Sequence, residues 1–397
     1  MKTLLDIEVT NKVCLIRVDL NCPYSDGKIK DFTRIKTHSK TIKHIVEHKG
    51  KAVVIAHQGR PGSADFLSLQ QHTEILQMIL GSSYKVEFCP YTHGSEVEKR
   101  IRKMNAGDIL VLENVRMVET EMNNKSAKEH AQEPYIQSLA KVGDIFVNDA
   151  FSAAHRSHGS LVGFTTLLPS VAGLIMEQEV TNLQRVVKNP KKPCVFILGG
   201  IKPDDSFNIA DYVLERNIAN TVLTGGTVSQ LFLVAKGESL GKPVVDFLKK
   251  KELIHFVDIA KVLLNKFQDQ IKIQNDFAID EGGRKIYSLN DLPLNAPILD
   301  IGDQTIKEYT EIIEQSSTVV LNGPMGKFEE IGFEKGTLEI FKAMERSKGF
   351  SLAGGGHSVS IIEQHNIQLS YISTAGKALL QFLMGRILPA IESLDEK

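Results

Sequence analysis

The stretch V-N-D-A-F-S-A-A-H-R-S-H-G-S, residues 147–160, decides how the first half of this chain is interpreted. A short apolar run at 144–147 leads into an Asn-Asp pair, and His155, Arg156 and His158 follow soon after. This order is typical of a strand that delivers basic side chains to the carboxyl edge of an α/β sheet, where ligands bind. A lone His-Arg pair is more often a solvated surface loop, but other strand ends in this half present the same chemistry.

Composition and charge exclude several classes of protein. The chain has 397 residues, 42% hydrophobic and 24% charged, which is enough for two large globular domains. Its 47 basic residues are balanced by 48 acidic ones, which argues against a partner that is a nucleic acid or a membrane surface. Any anion-binding site must therefore come from local placement of charge.

Cysteine usage and the N-terminus indicate the compartment. The four cysteines, Cys14, Cys22, Cys89 and Cys194, show no C-x-x-C spacing, which favours a reducing compartment over a zinc site or a disulfide framework. The N-terminus turns acidic too early for a signal peptide, and no apolar run approaches the ~20 residues of a membrane span. The sequence predicts a cytoplasmic protein, monomeric or homodimeric, that binds small molecules.

The first half alternates strand-like and helix-like segments. Apolar runs, expected of strands buried on both faces, occur at 13–18, 52–56, 108–112 and 144–147, and a weaker strand is predicted at 85–88. Helical periodicity separates them, which predicts right-handed crossovers and a parallel sheet. The fold class is therefore α/β.

Polar and basic residues follow these strands. They are Asp19, Asn21 and the nearby Arg34, then His57 and Arg60, then Arg116, then His155 and Arg156. Because parallel strands place their carboxyl ends at one edge, we expect these side chains to converge. Guanidinium groups with imidazoles predict a pocket for a small anion that carries phosphate and carboxylate groups.

The second half repeats the alternation with glycine-rich strand ends. The segment 171–187 has a helical stripe and is predicted to connect two domains. Strand-like runs follow at 194–198, 220–223, 297–301, 318–321, 350–353 and 369–372, and each ends in a turn that contains glycine. A single turn of this kind is usually a plain connection, but six on one sheet edge predict a nucleotide site. Neither G-x-x-x-x-G-K-[ST] nor G-x-G-x-x-G after the first strand of either half is present, which disfavours a P-loop enzyme and a dehydrogenase.

A family resemblance covers residues 13–394. The motifs R-V-D-L-N-C-P, H-Q-G-R-P, L-E-N-V-R, V-N-D-A-F-S-A-A-H-R-S-H, I-L-G-G-I-K, L-N-G-P-M-G-K-F-E and A-G-G-G-H-S occur in the order and spacing of phosphoglycerate kinase. The details I-K-P-D-D-S and G-G-G-H-S resemble the archaeal branch.

The resemblance implies two Rossmann-like domains, each a parallel sheet flanked by helices, joined by a hinge helix. The first would span 1–170, with 379–397 packing back on it, and the second 171–378. The implied enzyme is a glycolytic phosphotransferase with a carboxyl group as acceptor. It would move a phosphoryl group reversibly between 1,3-bisphosphoglycerate and ADP with Mg²⁺, giving 3-phosphoglycerate and ATP.

The resemblance also implies roles for individual residues. Phosphoglycerate would be held by Asp19, Asn21, Arg34, His57, Arg60, Arg116 and Arg156, with His155 beside them. The nucleotide would be held by Gly199, Gly200, Lys202, Gly225, Gly226, Asn322, Gly323, Glu329, Gly354, Gly355, Gly356, His357 and Ser358. Catalysis would fall to Arg34, Lys202, Gly355 and Gly376.

Three departures from the family pattern leave questions open. Ser206 stands where the bacterial and eukaryotic pattern has a second lysine, and His357 replaces the usual acid, so the Mg²⁺ ligands are unknown. Lys377 replaces a glycine: it either brings an ammonium to the γ-phosphate or lies along its helix with the charge in solvent. The alternative function is a catalytically impaired nucleotide-binding homologue.

Overall fold

The computed structural model describes residues 1–395, apart from the side chain of His357. The chain separates into two compact units, one formed by 1–181 with the segment from Ile387 onward and the other by 182–386. The chain passes from the first unit to the second after residue 181 and returns after residue 386. Both points come later in the sequence than the predicted domain borders at 170 and 378. The first falls inside the helix Leu174–Val187, and the second follows the helix Lys377–Leu383.

The first unit contains a six-stranded parallel sheet. In spatial order its strands are Val86–Phe88, Ile109–Val111, Lys51–Ile55, Val13–Arg17, Ile145–Asn148 and Ser170–Ala172. The five strands predicted from apolar runs are present. The sixth strand, Ser170–Ala172, was missed. The prediction of a helix over 171–187 was wrong for residues 171 and 172, because the connecting helix begins only at Leu174. A strand of three residues is too short to show a period of its own.

Helices cover both faces of this sheet. They are Thr33–Glu47, Gln70–Leu80, Ser95–Arg102, Ala127–His130, Pro134–Ala140, Gly159–Val162 and Pro389–Asp395, and Leu174–Val187 runs out of the unit. Short 3-10 turns lie at Leu4–Asp6, Val115–Met117, Phe151–Ala153 and Gly163–Thr166, and a small hairpin joins Tyr24–Ser25 to Lys28–Ile29. Because side chains alternate along a strand, Ile16 packs in one core with Ile42, whereas Leu15 packs in the other with Phe164.

The second unit contains a second six-stranded parallel sheet. Its strands are, in spatial order, Ile271–Lys272, Thr221–Thr224, Cys194–Leu198, Thr318–Asn322, Phe350–Gly354 and Tyr371–Ser373. Its helices are Pro203–Glu215, Gly226–Lys236, Lys242–Lys250, Phe256–Phe267, Asp303–Glu314, Lys335–Arg346, Gly356–Gln364 and Lys377–Leu383, with a 3-10 turn at Leu289–Asp291. Five of the six predicted glycine-bearing strand ends belong to this sheet.

The sixth predicted strand, 297–301, does not. Only Asp300–Ile301 is extended, and it pairs antiparallel with Asp276–Asp280, which pairs in turn with Arg284–Ser288. These three strands form a separate sheet. The strands Asp276–Asp280 and Arg284–Ser288 form a hairpin. The Asp-Glu-Gly-Gly sequence at 280–283 was a signal for its turn that the sequence analysis did not use.

The C-terminal segment returns to the first unit, although less of it does than predicted. The backbone N–H of Ala390 donates to the carbonyl of Ala154 at 3.2 Å, and the N-terminal ammonium lies 2.7 Å from Asp395. Residues 379–383, predicted to cross back, remain in the second unit. Within residues 1–395, no helix combines the length and apolar character that crossing a membrane requires.

Candidate active site

The carboxyl ends of the first unit's central strands are joined by hydrogen bonds. The Asp19 carboxylate accepts from the Arg34 guanidinium and from the Ser152 hydroxyl, and it also accepts from the backbone N–H of Asn21 at 3.0 Å. Asn21 Oδ1 in turn accepts from the backbone N–H of Gly59 at 2.8 Å. The structure therefore brings these predicted strand ends to one place.

Arg17 is a part of this cluster that the sequence analysis missed. It is the last residue of its strand and 1% exposed. Its Nη2 donates to His57 Nδ1 at 3.0 Å and its Nε donates to Ser160 Oγ at 2.8 Å. Because a guanidinium can only donate, His57 must be neutral, with its proton on Nε2.

Burial and surrounding charge keep His57 neutral. Burial, followed by the charges of Arg17, Arg116, Arg156 and Arg34, lowers the pKa of His57 well below its ordinary value. His57 therefore offers an Nε2–H donor at neutral pH and carries no positive charge.

Two other histidines are likewise not cations, which corrects the interpretation of 147–160 as a cationic cluster. Burial, and then the charge of Arg156, lowers the pKa of His158 to about 3. His155 Nε2 accepts from Arg156 Nε at 3.2 Å, so that ring is neutral as well. The positive charge of the stretch comes from Arg156.

The arginines at this edge lie close enough to affect one another. The Arg116 guanidinium donates to the carbonyl of Gly59, and burial, then Arg156 and Arg17, lowers the pKa of Arg116 to about 10. Burial and the charge of Arg60 lower the pKa of Arg156. Arg116 remains protonated at pH 7, so the cluster suits an anion with several acceptor oxygens.

A buried carboxylate behind the cluster was also missed. Glu121 is fully buried and accepts from the Tyr135 hydroxyl at 2.6 Å, the Ser160 N–H at 2.8 Å and the Ser160 hydroxyl at 2.7 Å. Ser160 thus connects it to Arg17. Burial lowers the pKa of Arg17 to about 10, and the charge of Glu121 opposes that shift.

Another neutral histidine, His72, contacts the turn at His57–Arg60 through Gln58. His72 is fully buried, and its Nε2 lies 3.1 Å from Gln58 Oε1, which also accepts from the backbone N–H of Cys22 at 2.8 Å. Burial lowers the pKa of His72 to about 4. His72 is therefore a structural donor near the site.

This burial predicts a pH dependence of stability. His72 binds a proton near its ordinary pKa of ~6.5 when unfolded but only near 4 when folded, so its contribution is complete above pH 6.5 and is lost as the pH falls towards 4. Between pH 7 and pH 5 we expect wild type to lose about 2 kcal/mol more of its unfolding free energy than His72→Phe. Urea unfolding across this range measures both. His48→Phe, at an exposed histidine, should keep the wild-type slope; the same slope in His72→Phe would refute the assignment.

In the second unit, three glycine-containing turns interlock. The backbone N–H groups of Gly200 and Gly226 donate to the carbonyls of Pro324 and Met325, both at 2.7 Å. A Cβ at Gly199 would lie 2.2 Å from the Pro324 carbonyl oxygen, so the close approach of these turns requires glycine there. Part of the glycine pattern therefore has a structural cause.

A cavity of about 460 Å³ opens beside these turns. Gly200, Gly226 and Glu329, predicted as nucleotide residues, line it. Its walls also include residues that the sequence analysis did not single out: Ile201, Val244, Phe247, Ile298 and Pro324. Mostly apolar walls with a few polar groups suit an aromatic ring.

The turns at 355–356 and 376–377 are more open, whereas Gly354 is buried and a Cβ there would lie 2.0 Å from Leu379. A Cβ at Gly356 or Gly376 would meet no atom within 4 Å, and Gly355 has a φ of +93°. Ser358 is buried in the helix Gly356–Gln364. Neighbouring packing therefore does not explain glycine at 356 and 376, and a ligand can reach the backbone at both positions. His357, predicted in this group, has its side chain outside the described residues.

The charges of Lys202 and Lys377 both lower the pKa of the Asp205 carboxyl group. Both are exposed. Burial and Asp204 raise the pKa of Asp205, whereas Lys202, Lys377 and Arg386 lower it. Ser206 is buried in the same helix.

No cluster of three or more acidic, histidine or cysteine side chains within the described part of the chain could hold a metal ion. Asp204 and Asp205 lie in the first turn of the helix Pro203–Glu215, directly after Lys202. Such a donor set fits Mg²⁺ only in the manner usual for nucleotide enzymes, with one or two carboxylates and the substrate phosphates as ligands.

Comparison with known proteins identifies the family. The fold resembles that of a two-domain α/β kinase. The chain superposes on the phosphoglycerate kinase of Pyrococcus horikoshii with a TM-score of 0.90 and 38% sequence identity, and the match covers 99% of this chain and 98% of the other. The enzyme of Coxiella burnetii gives a TM-score of 0.85 at 29% identity, with the same coverage.

Sequence relatives agree. The phosphoglycerate kinases of Methanopyrus kandleri and Pyrococcus furiosus are each 41% identical, over 99% of this chain and 97% of theirs. A sequence model of the phosphoglycerate kinase family matches residues 4–386. The chain belongs to the phosphoglycerate kinase family.

Proposed function

We propose that this protein catalyses reversible phosphoryl transfer between 1,3-bisphosphoglycerate and ADP. The observation that carries the proposal is the edge of the first sheet, where arginines surround a neutral His57 in a chain of this family. A phosphoglycerate offers a phosphate and a carboxylate, and guanidinium groups bind both in a forked geometry.

The proposed substrate residues divide by chemistry. Arg60, Arg116 and Arg156 supply charge for the phosphate, and His57 donates from Nε2. Asp19 accepts from Arg34 and Asn21, and so fixes the position of that guanidinium. His155 positions Arg156 through its ring nitrogen.

The nucleotide would occupy the second unit. The cavity beside Gly200 and Gly226 would take the base, with Glu329 at its rim for the ribose. Gly199, Gly225, Asn322 and Gly323 belong to the turns that pack around Pro324 and Met325 in that wall. The phosphates would approach the backbone at 354–356, Ser358 and Gly376, with Lys202 beside them. Mg²⁺, when bound with the phosphates, would neutralise part of their charge.

The chemistry requires no general base. In the direction of ATP use the acceptor is a carboxylate, already ionised at pH 7. Phosphoryl transfer then depends on in-line positioning and on positive groups around the moving oxygens. Arg34, Lys202 and the backbone N–H groups at Gly355 and Gly376 would supply them.

The test is a coupled assay with 3-phosphoglycerate, ATP and Mg²⁺. We expect turnover that requires all three. A protein that binds ATP in equilibrium dialysis but shows no turnover would instead be the impaired homologue. Omission of 3-phosphoglycerate is the control for ATP hydrolysis.

Two matched glycine variants separate phosphate binding from folding. In Gly376→Ala the new methyl meets no atom within 4 Å, so the thermal midpoint should stay unchanged while kcat/KM for ATP falls about tenfold. In Gly199→Ala the methyl collides with the Pro324 carbonyl, and the variant should lose about 1–3 kcal/mol of stability. Unaltered ATP kinetics in Gly376→Ala would contradict the phosphate role.

Lys377→Gly tests whether this charge aids transfer. Since Lys377 and Lys202 both act on Asp205, we expect Lys377 to reach the same phosphates, and its removal to lower kcat about tenfold or more. Affinity for 3-phosphoglycerate should not change. Steady-state kinetics decide this: a kcat within about twofold of wild type would place the ammonium in solvent.

A further inference from the structure

One polar side chain that lines the cavity beside Gly200 and Gly226 has an amide nitrogen with no hydrogen-bond partner among the described residues. Gln274 lines this cavity and is 1% exposed. Its backbone N–H donates to Ser229 Oγ at 3.1 Å, so the helix Gly226–Lys236 holds the main chain here. Its side-chain Nε2 is buried and has no hydrogen-bond partner among the described residues.

A buried amide without a partner destabilises a folded protein, because the group gives up its hydrogen bonds to water and receives none in return. Nearly all buried polar side chains in native proteins are paired, so each exception calls for an explanation. An amide on the wall of a cavity can obtain that partner from a ligand.

Two other polar residues of the wall, Gln230 and Asp300, have hydrogen-bond partners within the protein. Gln230 Nε2 donates to the carbonyl of Ile298 at 3.3 Å. Asp300 Oδ2 accepts from the backbone N–H of Gly336 at 2.7 Å and pairs with Arg284 at 3.4 Å. Asp300 Oδ1 has no hydrogen-bond partner among the described residues. It lies so close to Gly326 and Gly336 that a Cβ on either would be within 2.5 Å of it, which leaves no room for a ligand atom on that side.

We propose that Gln274 recognises the base of the nucleotide: its Nε2 donates a hydrogen bond to a ring nitrogen of a purine nucleoside diphosphate. This inference rests on the nucleotide function proposed above for the cavity. Purine edges carry ring nitrogens that accept hydrogen bonds, and the apolar walls at Val244, Phe247 and Ile298 cover the faces of the ring. A neutral amide recognises the base without competing for the phosphates.

Gln274→Leu tests the contact, since leucine has a similar size and cannot hydrogen bond. Isothermal titration calorimetry should show ADP binding about fivefold to tenfold more weakly to the variant than to wild type. Inorganic tripolyphosphate has no base, so its dissociation constant should not change. Gln268→Leu, at an exposed glutamine of the same unit, should bind ADP as wild type does.

The acceptor atom can be identified with three analogues, 1-deaza-, 3-deaza- and 7-deaza-ADP. One of them should bind wild type more weakly than ADP by the same factor as the mutation, and Gln274→Leu should not distinguish that analogue from ADP. Equal binding of all three analogues and ADP to wild type would overturn the proposal.

Thermal unfolding without ligand separates recognition from a structural role. Because the leucine variant removes an unpaired buried amide, its midpoint should equal or exceed that of wild type. A lower midpoint, with equal losses of affinity for ADP and tripolyphosphate, would make Gln274 a structural residue and overturn the proposal. A loss of ADP affinity smaller than threefold would mean that solvent alone satisfies the amide.

The outcome is independent of the coupled assay. Wild type that turns over substrate, with unchanged ADP affinity in Gln274→Leu, overturns only the role of Gln274. Wild type without turnover overturns the proposed function, and the ADP titration still decides whether Gln274 contacts the base.

Discussion

Arg34→Ala should lower kcat by about 10²–10³, the range seen when one group that stabilises transition-state charge is removed from an active site. The Arg34 guanidinium is partly buried and donates to the Asp19 carboxylate, which holds it at the edge of the sheet. Burial lowers the pKa of Arg34 below its ordinary value. Charge in such a site acts more strongly than in water, because less solvent screens it.

The kinetic pattern distinguishes this role from simple binding. If Arg34 acts mainly on the transition state, kcat and kcat/KM should fall together in the coupled assay. Arg60 is exposed, so Arg60→Ala should chiefly raise the KM for 3-phosphoglycerate, by about fivefold, with little change in kcat. Arg34→Lys, which keeps the charge but loses the fork, should fall between wild type and alanine. Small and equal effects at both positions would reject the assignment.

The positions of these residues could be predicted because long apolar runs define buried strands. Once Val13–Arg17, Lys51–Ile55 and Ile109–Val111 are recognised as parallel neighbours, their carboxyl ends must share an edge. Asp19 and Arg116 follow from that geometry. The fold class was predictable for the same reason.

Site residues inside a strand, and properties that depend on tertiary packing, could not be predicted from strand ends. Arg17 belongs to an apolar run, and only its hydrogen bonds to His57 and Ser160 show that it contributes to the cluster. The neutrality of His158 depends on burial by tertiary packing, which sequence spacing does not report. Counting it as a cation was therefore wrong.

Antiparallel pairing misled the prediction of the second unit. The run at 297–301 was assigned to the main sheet because it ends in glycine, as its neighbours do. In the structure Asp300–Ile301 joins a separate sheet. The cavity wall was unpredictable for a related reason: Val244, Phe247, Ile298 and Pro324 come from separate segments, and none carries a local signature.

Glu121→Ala should cost about 3–5 kcal/mol of unfolding free energy, the usual effect of removing one partner from a buried ionic network. The carboxylate accepts from Tyr135 and twice from Ser160, which also accepts from Arg17. Without Glu121, the fully buried Arg17 keeps its charge and loses the nearest compensating one. Tyr135 loses its acceptor at the same time.

Urea unfolding measures this cost, and two variants serve as comparisons. Glu121→Gln keeps an acceptor oxygen but removes the charge, so its loss should be smaller than that of alanine. Glu119→Ala changes an exposed glutamate in the same segment and should stay within about 0.5 kcal/mol of wild type. Since Arg17 also holds His57, the Glu121 variants should bind 3-phosphoglycerate more weakly, with ADP affinity unchanged. A Glu121→Ala protein as stable as Glu119→Ala would show that Arg17 does not depend on this carboxylate, and the site would then derive its rigidity from the strand alone.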